Sequence, residues 1–198
     1  MKVLITGGAG YIGSHALKRL VSQNHDVEVV DNFSHGHRKA VPQDIPIHAL
    51  DIRDTESLTR VLEAGGYECV MHFAALASVA ESVADPLLYY SNNVGGTISL
   101  LEAMQQAKIK KMVFSSTAAV YGSPENTPIQ ENSPTRPINP YGRTKRMIET
   151  VLQDRVGQGD GFAYAALRYF NVAGAARDGT LGEDHTPETH LIPNTLKT

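Results

Sequence analysis

The chain has 198 residues, 41% of them hydrophobic and 20% charged, an ordinary globular balance that excludes a disordered, collagen-like or coiled-coil protein. A net charge of −3 leaves no basic footprint for nucleic acid or an anionic membrane surface, so neither is expected as a partner. No signal-peptide core and no apolar run of about 18 residues is present, which predicts a cytoplasmic protein of small-molecule chemistry.

Short β-branched runs alternate with longer amphipathic stretches, the order of βαβ units. In chain order the pattern predicts a strand over 2–6, a helix over 11–23, strands over 27–31 and 45–49, and a helix over 54–64. A strand over 68–73, a helix over 87–107, a strand over 111–115, a helix over 139–156 and a strand over 162–168 follow. Each helix rests on apolar residues three and four apart. Six strands with helices between them predict an α/β fold, a doubly wound parallel sheet of the Rossmann type. Cys69 lies in the apolar run Cys69-Val70-Met71 and, as the single cysteine, is expected to be a buried small hydrophobe. Residues 121–140 hold Pro124, Pro128, Pro134, Pro137 and Pro140, which predicts a long ordered loop over the carboxyl edge of the sheet.

Thr6-Gly7-Gly8-Ala9-Gly10-Tyr11-Ile12-Gly13 follows the first strand and opens the first helix. Gly7, Gly10 and Gly13 let the backbone turn tightly and bring a pyrophosphate against the free N–H groups at the helix start, with Tyr11 and Ile12. The Gly-x-x-Gly-x-x-Gly spacing alone also suits an ordinary glycine turn. Asp31, eighteen residues after Gly13 at the end of the second strand, is what points to a dinucleotide, because a carboxylate there accepts from the ribose hydroxyls. It repels a 2′-phosphate, so NAD is expected rather than NADP; Arg38 is the residue that argues the other way. Asn32 joins Asp31 in the expected cofactor set. Asp51 and Ile52 are placed to reach the adenine, although Asp51 can equally cap the helix starting near Thr55.

Asn139-Pro140-Tyr141-Gly142-Arg143-Thr144-Lys145 reads as a helix start, Asn139 as N-cap and Pro140 at the first position. Tyr141 and Lys145 then share a face. A tyrosine acts as general base only if its pKa, about 10, falls toward neutrality; a lysine about 4 Å away at an effective dielectric of about 20 supplies about three units. By themselves the two are also consistent with an unremarked surface pair. The third member comes from Phe114-Ser115-Ser116-Thr117, running off the fifth strand at the edge where an open sheet places its ligand. Thr117 is the expected hydroxyl for holding a substrate oxygen and relaying its proton to Tyr141, with Ser116 as runner-up. Ser115 is expected beside the cofactor, and one of the two serines can instead cap strand-end amides. His35-Gly36-His37 is read as a solvated loop near the adenosine, and no metal site is expected.

These motifs, with His72-Phe73-Ala74-Ala75, Tyr89-Tyr90-Ser91-Asn92-Asn93-Val94, Arg168-Tyr169-Phe170-Asn171 and Gly182-Glu183-Asp184 in order, make the chain similar to the extended short-chain dehydrogenase/reductases over its whole length. The resemblance implies an NAD-binding domain over 1–170 and, over 171–198, the start of a substrate-binding region whose remainder and seventh strand are missing. It implies that Phe73 and Ala74 line the pyrophosphate and ribose path, that Asn93 contacts the cofactor, and that Phe170 flanks the nicotinamide. Asn171, His190 and Leu191 are implied contacts to the UDP of a UDP-sugar substrate. The implied reaction is epimerisation at C4 of UDP-glucose and UDP-galactose through a 4-keto sugar, with NAD reduced and reoxidised in each cycle. Ala118 and Ala119 stand where dehydratases and decarboxylases of the family carry an acid. Thr117 departs from a common serine, and Ala77 from a lysine near the cofactor phosphates. The family also implies a homodimer built on the helices at 87–107 and 139–156. Two other readings stay open: an NAD-binding module without turnover, and a 4-epimerase of another UDP-sugar such as UDP-xylose or UDP-N-acetylglucosamine.

Overall fold

The computed structural model describes residues 1–185, 188 and 190–196. Six strands, β1 (Lys2–Thr6), β2 (Asp26–Val30), β3 (Ile47–His48), β4 (Cys69–His72), β5 (Lys111–Thr117) and β6 (Ala163–Tyr169), form one sheet in the order β3-β2-β1-β4-β5-β6, with every neighbouring pair parallel. The order reverses between β1 and β4, and a crevice opens beyond their carboxyl ends, where such a sheet takes its ligand. The helices are α1 (Tyr11–Ser22), α2 (Thr55–Gly65), α3 (Val79–Ala84), α4 (Pro86–Tyr89), α5 (Gly96–Gln106), α6 (Pro140–Val156) and α7 (Leu191–Leu196).

Strand alternation sends successive side chains to opposite faces, and the core divides accordingly. Leu4, Val70 and Phe114 pack with Leu58, Leu62, Leu100, Met104, Ile148 and Leu152 on one face. Val3, Ile5, Val27 and Val29 pack with Leu17 and Val41 on the other. Burying each of these side chains contributes about 1.5–3 kcal/mol. Cys69 is buried and unpaired in a disulfide, and burial raises its thiol pKa.

Several element boundaries differ from expectation for identifiable reasons. β3 is two residues long rather than five, because Pro46 has no N–H to donate and only its carbonyl joins the ladder, accepting from Val29 N. β5 runs on to Thr117, held by pairing with Tyr169 of β6. The stretch predicted as one helix over 87–107 is α4, then a π-helical turn over Tyr90–Gly95, then α5. α3 was not expected, yet Ser78 accepts from Glu81 N at 3.2 Å, the Ser-x-x-Glu start signal already legible in the chain. The proline-rich stretch enters through a 3₁₀ turn, Ala118–Tyr121, and then forms no strand or helix before α6. Among the described residues no helix is long and apolar enough to cross a membrane.

Candidate active site

The glycine turn is built by close approach. Gly7 has φ of +73°, and a Cβ on it would lie 2.5 Å from Ala74 N; on Gly13 a Cβ would lie 2.1 Å from Gly7 O. A Cβ on Gly10 would meet only Gly7 O at 3.4 Å, so packing does not require glycine there, and its absence leaves the cleft floor open. Gly10 also precedes α1 with no side-chain cap, and the first turn holds no acid. The N–H groups that begin α1 at Tyr11, Ile12 and Gly13 therefore face an anion site without a competing carboxylate.

A cleft of about 540 Å³, including space open to solvent, is lined by Gly7, Gly10, Asp31, Asn32, Ile52, Phe73 and Ala74, among others. Asp31 is fixed from two sides: Ala9 N donates to Oδ2 at 2.9 Å and Phe33 N to Oδ1 at 2.8 Å. Each oxygen keeps a further lone pair for a hydroxyl donor. An uncapped helix start and an oriented carboxylate across one cleft suit a dinucleotide's pyrophosphate and ribose.

Two residues expected at the cofactor have several protein partners. Asp51 is gripped by Arg53, whose Nε and Nη2 donate to Oδ1 at 2.9 Å and Oδ2 at 2.8 Å, while Asn32 Nδ2 donates to the same Oδ2 at 3.1 Å. These bonds, the Arg53 one foremost, outweigh partial burial and lower the Asp51 pKa to about 2. The cap of α2 is Asp54, accepting from Ser57 N at 3.0 Å, and not Asp51. Asn93 is buried, takes Leu76 N–H at 2.9 Å, donates to Leu76 O at 3.0 Å, and reaches Thr144 Oγ1 at 3.3 Å. It braces the loop after β4 against α6, and its neighbour Asn92 lines the cleft instead. The π-turn rotates the face of the helix there by an amount that helical spacing cannot reveal.

Asn139 caps α6 by accepting from Gly142 N at 2.8 Å, with Pro140 in the first turn. A Cβ on Gly142 would lie 2.7 Å from Ala119 O, so the absence of a side chain lets the helix start close onto the end of β5. Thr117 neighbours Tyr141 there closely enough to act on its pKa, and Thr117 Oγ1 accepts from Ala119 N at 3.1 Å. Lys145, one turn along, is buried, donates from Nζ to Ser115 O at 2.8 Å, and sits 5.9 Å from the Tyr141 ring centroid. Burial pushes its pKa down to about 7. Burial likewise raises the Tyr141 pKa, and the Thr117 bond opposes that rise. The protein alone thus moves Tyr141 the opposite way from a base. Lys145 is not among the groups that move the Tyr141 pKa; its Nζ is turned to the Ser115 carbonyl.

Ser116, the runner-up hydroxyl, points away. Its Oγ donates to Glu149 Oε1 at 2.6 Å, and Arg168 clasps Glu149 through Nε at 2.9 Å and Nη2 at 2.8 Å. Alternation along β5 puts Ser115 and Thr117 on one face and Ser116 on the other. Arg168 also donates to Tyr121 Oη at 2.8 Å and Glu131 O at 3.0 Å, tying the proline-rich loop to the sheet. No spacing rule marks this network in the sequence. Phe170, Asn171, His190 and Leu191 are exposed, and no contact places them beside Tyr141. Tyr11 donates its hydroxyl to Gly174 O at 2.6 Å, so only its backbone is left for an anion. His35 lines the cleft, and His37 Nε2 contacts Asp184 O at 2.9 Å.

A glycine-turn cleft beside a Tyr-Lys helix defines a dinucleotide-dependent enzyme class, and the chain belongs to the NAD dependent epimerase/dehydratase family, whose model matches residues 3–198. It is 55% identical to a UDP-glucose 4-epimerase of Lactobacillus helveticus, over 100% of this chain and 59% of that protein. It is 50% identical to that of Lacticaseibacillus casei, with the same coverage. A crystal structure of a UDP-glucose 4-epimerase superposes with a TM-score of 0.96 at 48% identity, over 100% of this chain and 60% of that one. The UDP-glucose 4-epimerase from Brucella ovis in complex with NAD gives 0.94 at 49%, over 98% and 59%. The chain thus spans 59% of the length of these curated relatives.

Proposed function

We propose that this chain carries the NAD site and the acid–base site of an enzyme that epimerises C4 of UDP-glucose and UDP-galactose. The observation that carries the reading is the start of α6 closing onto the end of β5 at Gly142 and Ala119, which gathers Thr117, Tyr141 and buried Lys145, together with the cleft of Gly7, Gly10 and Asp31. On this reading residues 1–170 hold the cofactor and 171–198 begin the region that meets the nucleotide.

Each residue has a defined task. The N–H groups opening α1 hold the pyrophosphate, and Asp31 takes the ribose hydroxyls and disfavours a 2′-phosphate. The nicotinamide supplies a reversible hydride acceptor for the C4 hydrogen. Tyr141 takes the O4 proton, directly or through Thr117, and returns it when the 4-keto sugar is reduced on its other face. Lys145 fixes the end of β5 beside Tyr141 through the Ser115 carbonyl, and the positive charge that favours the tyrosinate form would come from the bound nicotinamide. Ala118 and Ala119 place no acid beside Thr117, which keeps the chemistry to proton and hydride exchange.

The exposed apolar side chains Val79 and Val83 on α3, Leu87 and Leu88 on α4 and Met147 on α6 support a homodimer through this face. A single buried thiol is consistent with a reducing, cytoplasmic setting, which fractionation of the source cells checks. The main test supplies NAD and UDP-galactose to the purified chain, alone and extended by a relative's C-terminal segment, and analyses the product sugar. We expect NAD binding in both and turnover chiefly in the extended form, because remote nucleotide contacts orient the sugar. Tyr141→Phe should reduce that turnover about 10²–10⁴-fold. A fully active Tyr141→Phe enzyme would place the base elsewhere, and light scattering that gives a monomer mass in the same preparation would remove the dimer.

A further inference from the structure

Beyond β6 the described residues bring two imidazoles and two carboxylates together. Glu183, His185, Glu188 and His190 each offer one ligand atom, and the four atoms lie within 4.8 Å of one another. His190 Nδ1 is 2.8 Å from Glu183 Oε1 and 2.8 Å from Glu188 Oε1. His185 Nδ1 is 3.7 Å from the same Glu183 oxygen.

The Glu183 and Glu188 side chains are only 11% and 5% exposed, so two carboxylates are held together largely out of water. Glu188 Oε1 also accepts from His190 N at 2.8 Å, and positive charge between the two carboxylates favours their juxtaposition. A proton on His190 Nδ1 is one N–H facing two carboxylate oxygens, and it does nothing for His185 Nδ1, a buried nitrogen with no hydrogen-bond partner. A divalent cation answers both demands at once: it neutralises the carboxylates and takes the lone pairs of two neutral imidazoles. Two nitrogens and two oxygens in so small a shell suit zinc, which prefers four such donors in a tetrahedron. Calcium and magnesium favour six or more oxygen ligands or several retained waters.

We propose that Glu183, His185, Glu188 and His190 form a structural site for zinc or a zinc-like divalent cation. Asp184, between two of the ligands, has its carbonyl 2.9 Å from His37 Nε2, and it lines with His185 a small cleft shared with Gly10 and Tyr11. The ion therefore fastens the segment after β6 beside the start of α1, at the glycine turn and not at Tyr141. His190, assigned to the nucleotide by the family resemblance, is spent on the ion.

The 198-residue chain, stripped by a chelator and dialysed, is titrated with zinc against a chromophoric competitor and with cobalt(II) followed by visible absorption. One equivalent should bind, and cobalt should show the intense d–d bands of a four-coordinate site. His185→Gln/His190→Gln should weaken binding about a hundredfold or more, since losing two ligands costs at least as much as losing an outer-shell partner. His25→Gln/His48→Gln, which removes as many histidines elsewhere, should leave it unchanged. X-ray absorption on the zinc-loaded wild-type chain, which needs no variant to fold, should show four nitrogen or oxygen neighbours with imidazole scattering behind them. No stoichiometric site in the wild type, an all-oxygen six-fold shell, or undiminished binding by His185→Gln/His190→Gln overturns the proposal.

Discussion

The two stretches of chain on either side of β6 hold themselves in place by different physics. Before it, Leu4, Leu100 and Phe114 are completely buried, and the buried charges Lys145 and Glu149 each have a named partner. After it, Phe170 is 64% and Leu191 81% exposed. That segment is secured by polar anchors: Tyr11 to Gly174, Lys18 to Asp178 and Thr180, and His37 to Asp184. Neutral hydrogen bonds contribute about 0.5–1.5 kcal/mol each and exposed ion pairs about 0–1 kcal/mol, against 1.5–3 kcal/mol for a buried apolar side chain. The cleft and the Tyr141 site thus stand on a self-sufficient core. The later segment needs partners of another kind, which is the place the cation takes in the proposal above.

The contrast is broken most directly by truncating one apolar side chain in each part. Phe114→Ala should lower stability by about 3–5 kcal/mol in urea denaturation, and Leu191→Ala should change it by less than about 0.5 kcal/mol. Comparable losses would erase the distinction.

A smaller effect sharpens it within the core. The Lys145 pKa falls from 10.5 to about 7 on burial, so between those values the unfolded chain keeps a proton that the folded chain has shed. Wild-type stability must rise with pH across this window, and the lysine costs most at its lower end. Lys145→Met should therefore be more stable than wild type by about 1–4 kcal/mol near pH 7. The margin should shrink toward pH 10, and denaturation at three pH values checks it. A margin independent of pH would mean that the buried amine is not the origin.

The smallest effect concerns binding alone. Wild type should prefer NAD over NADP in calorimetric titration, and Asp31→Asn should weaken NAD about tenfold, or about 1.4 kcal/mol, while narrowing the preference. Equal affinity of the wild type for the two cofactors would remove Asp31 from the ribose.

Where an element's stability is local or its pattern periodic, reading along the chain sufficed. The six strands, the glycine turn, the capped start at Asn139 and the Tyr141–Lys145 spacing all follow from alternation, helical period and turn chemistry, which are properties of neighbouring residues. The start of α3 is equally local, carried by Ser78 and Glu81. Thr117, expected ahead of Ser116, is the hydroxyl that the structure sets beside Tyr141. Ser116 and Thr117 are chemically alike, and only the register of β5 against β6 and the closure of Gly142 onto Ala119 separate them.

Tertiary structure likewise decided that Asn92 and not Asn93 lines the cleft, because a π-turn reset the helix face. It also decided that Asp51 is held by Arg53 and that Glu149 spans Ser116 and Arg168. The four groups Glu183, His185, Glu188 and His190 read along the chain as ordinary polar residues and become a cluster only when the backbone folds back. The physical reason is common to these cases: the chain specifies local conformation through short-range sterics and periodic burial. The partner of a polar side chain is chosen by distances between elements, which exist only after the sheet and helices have packed.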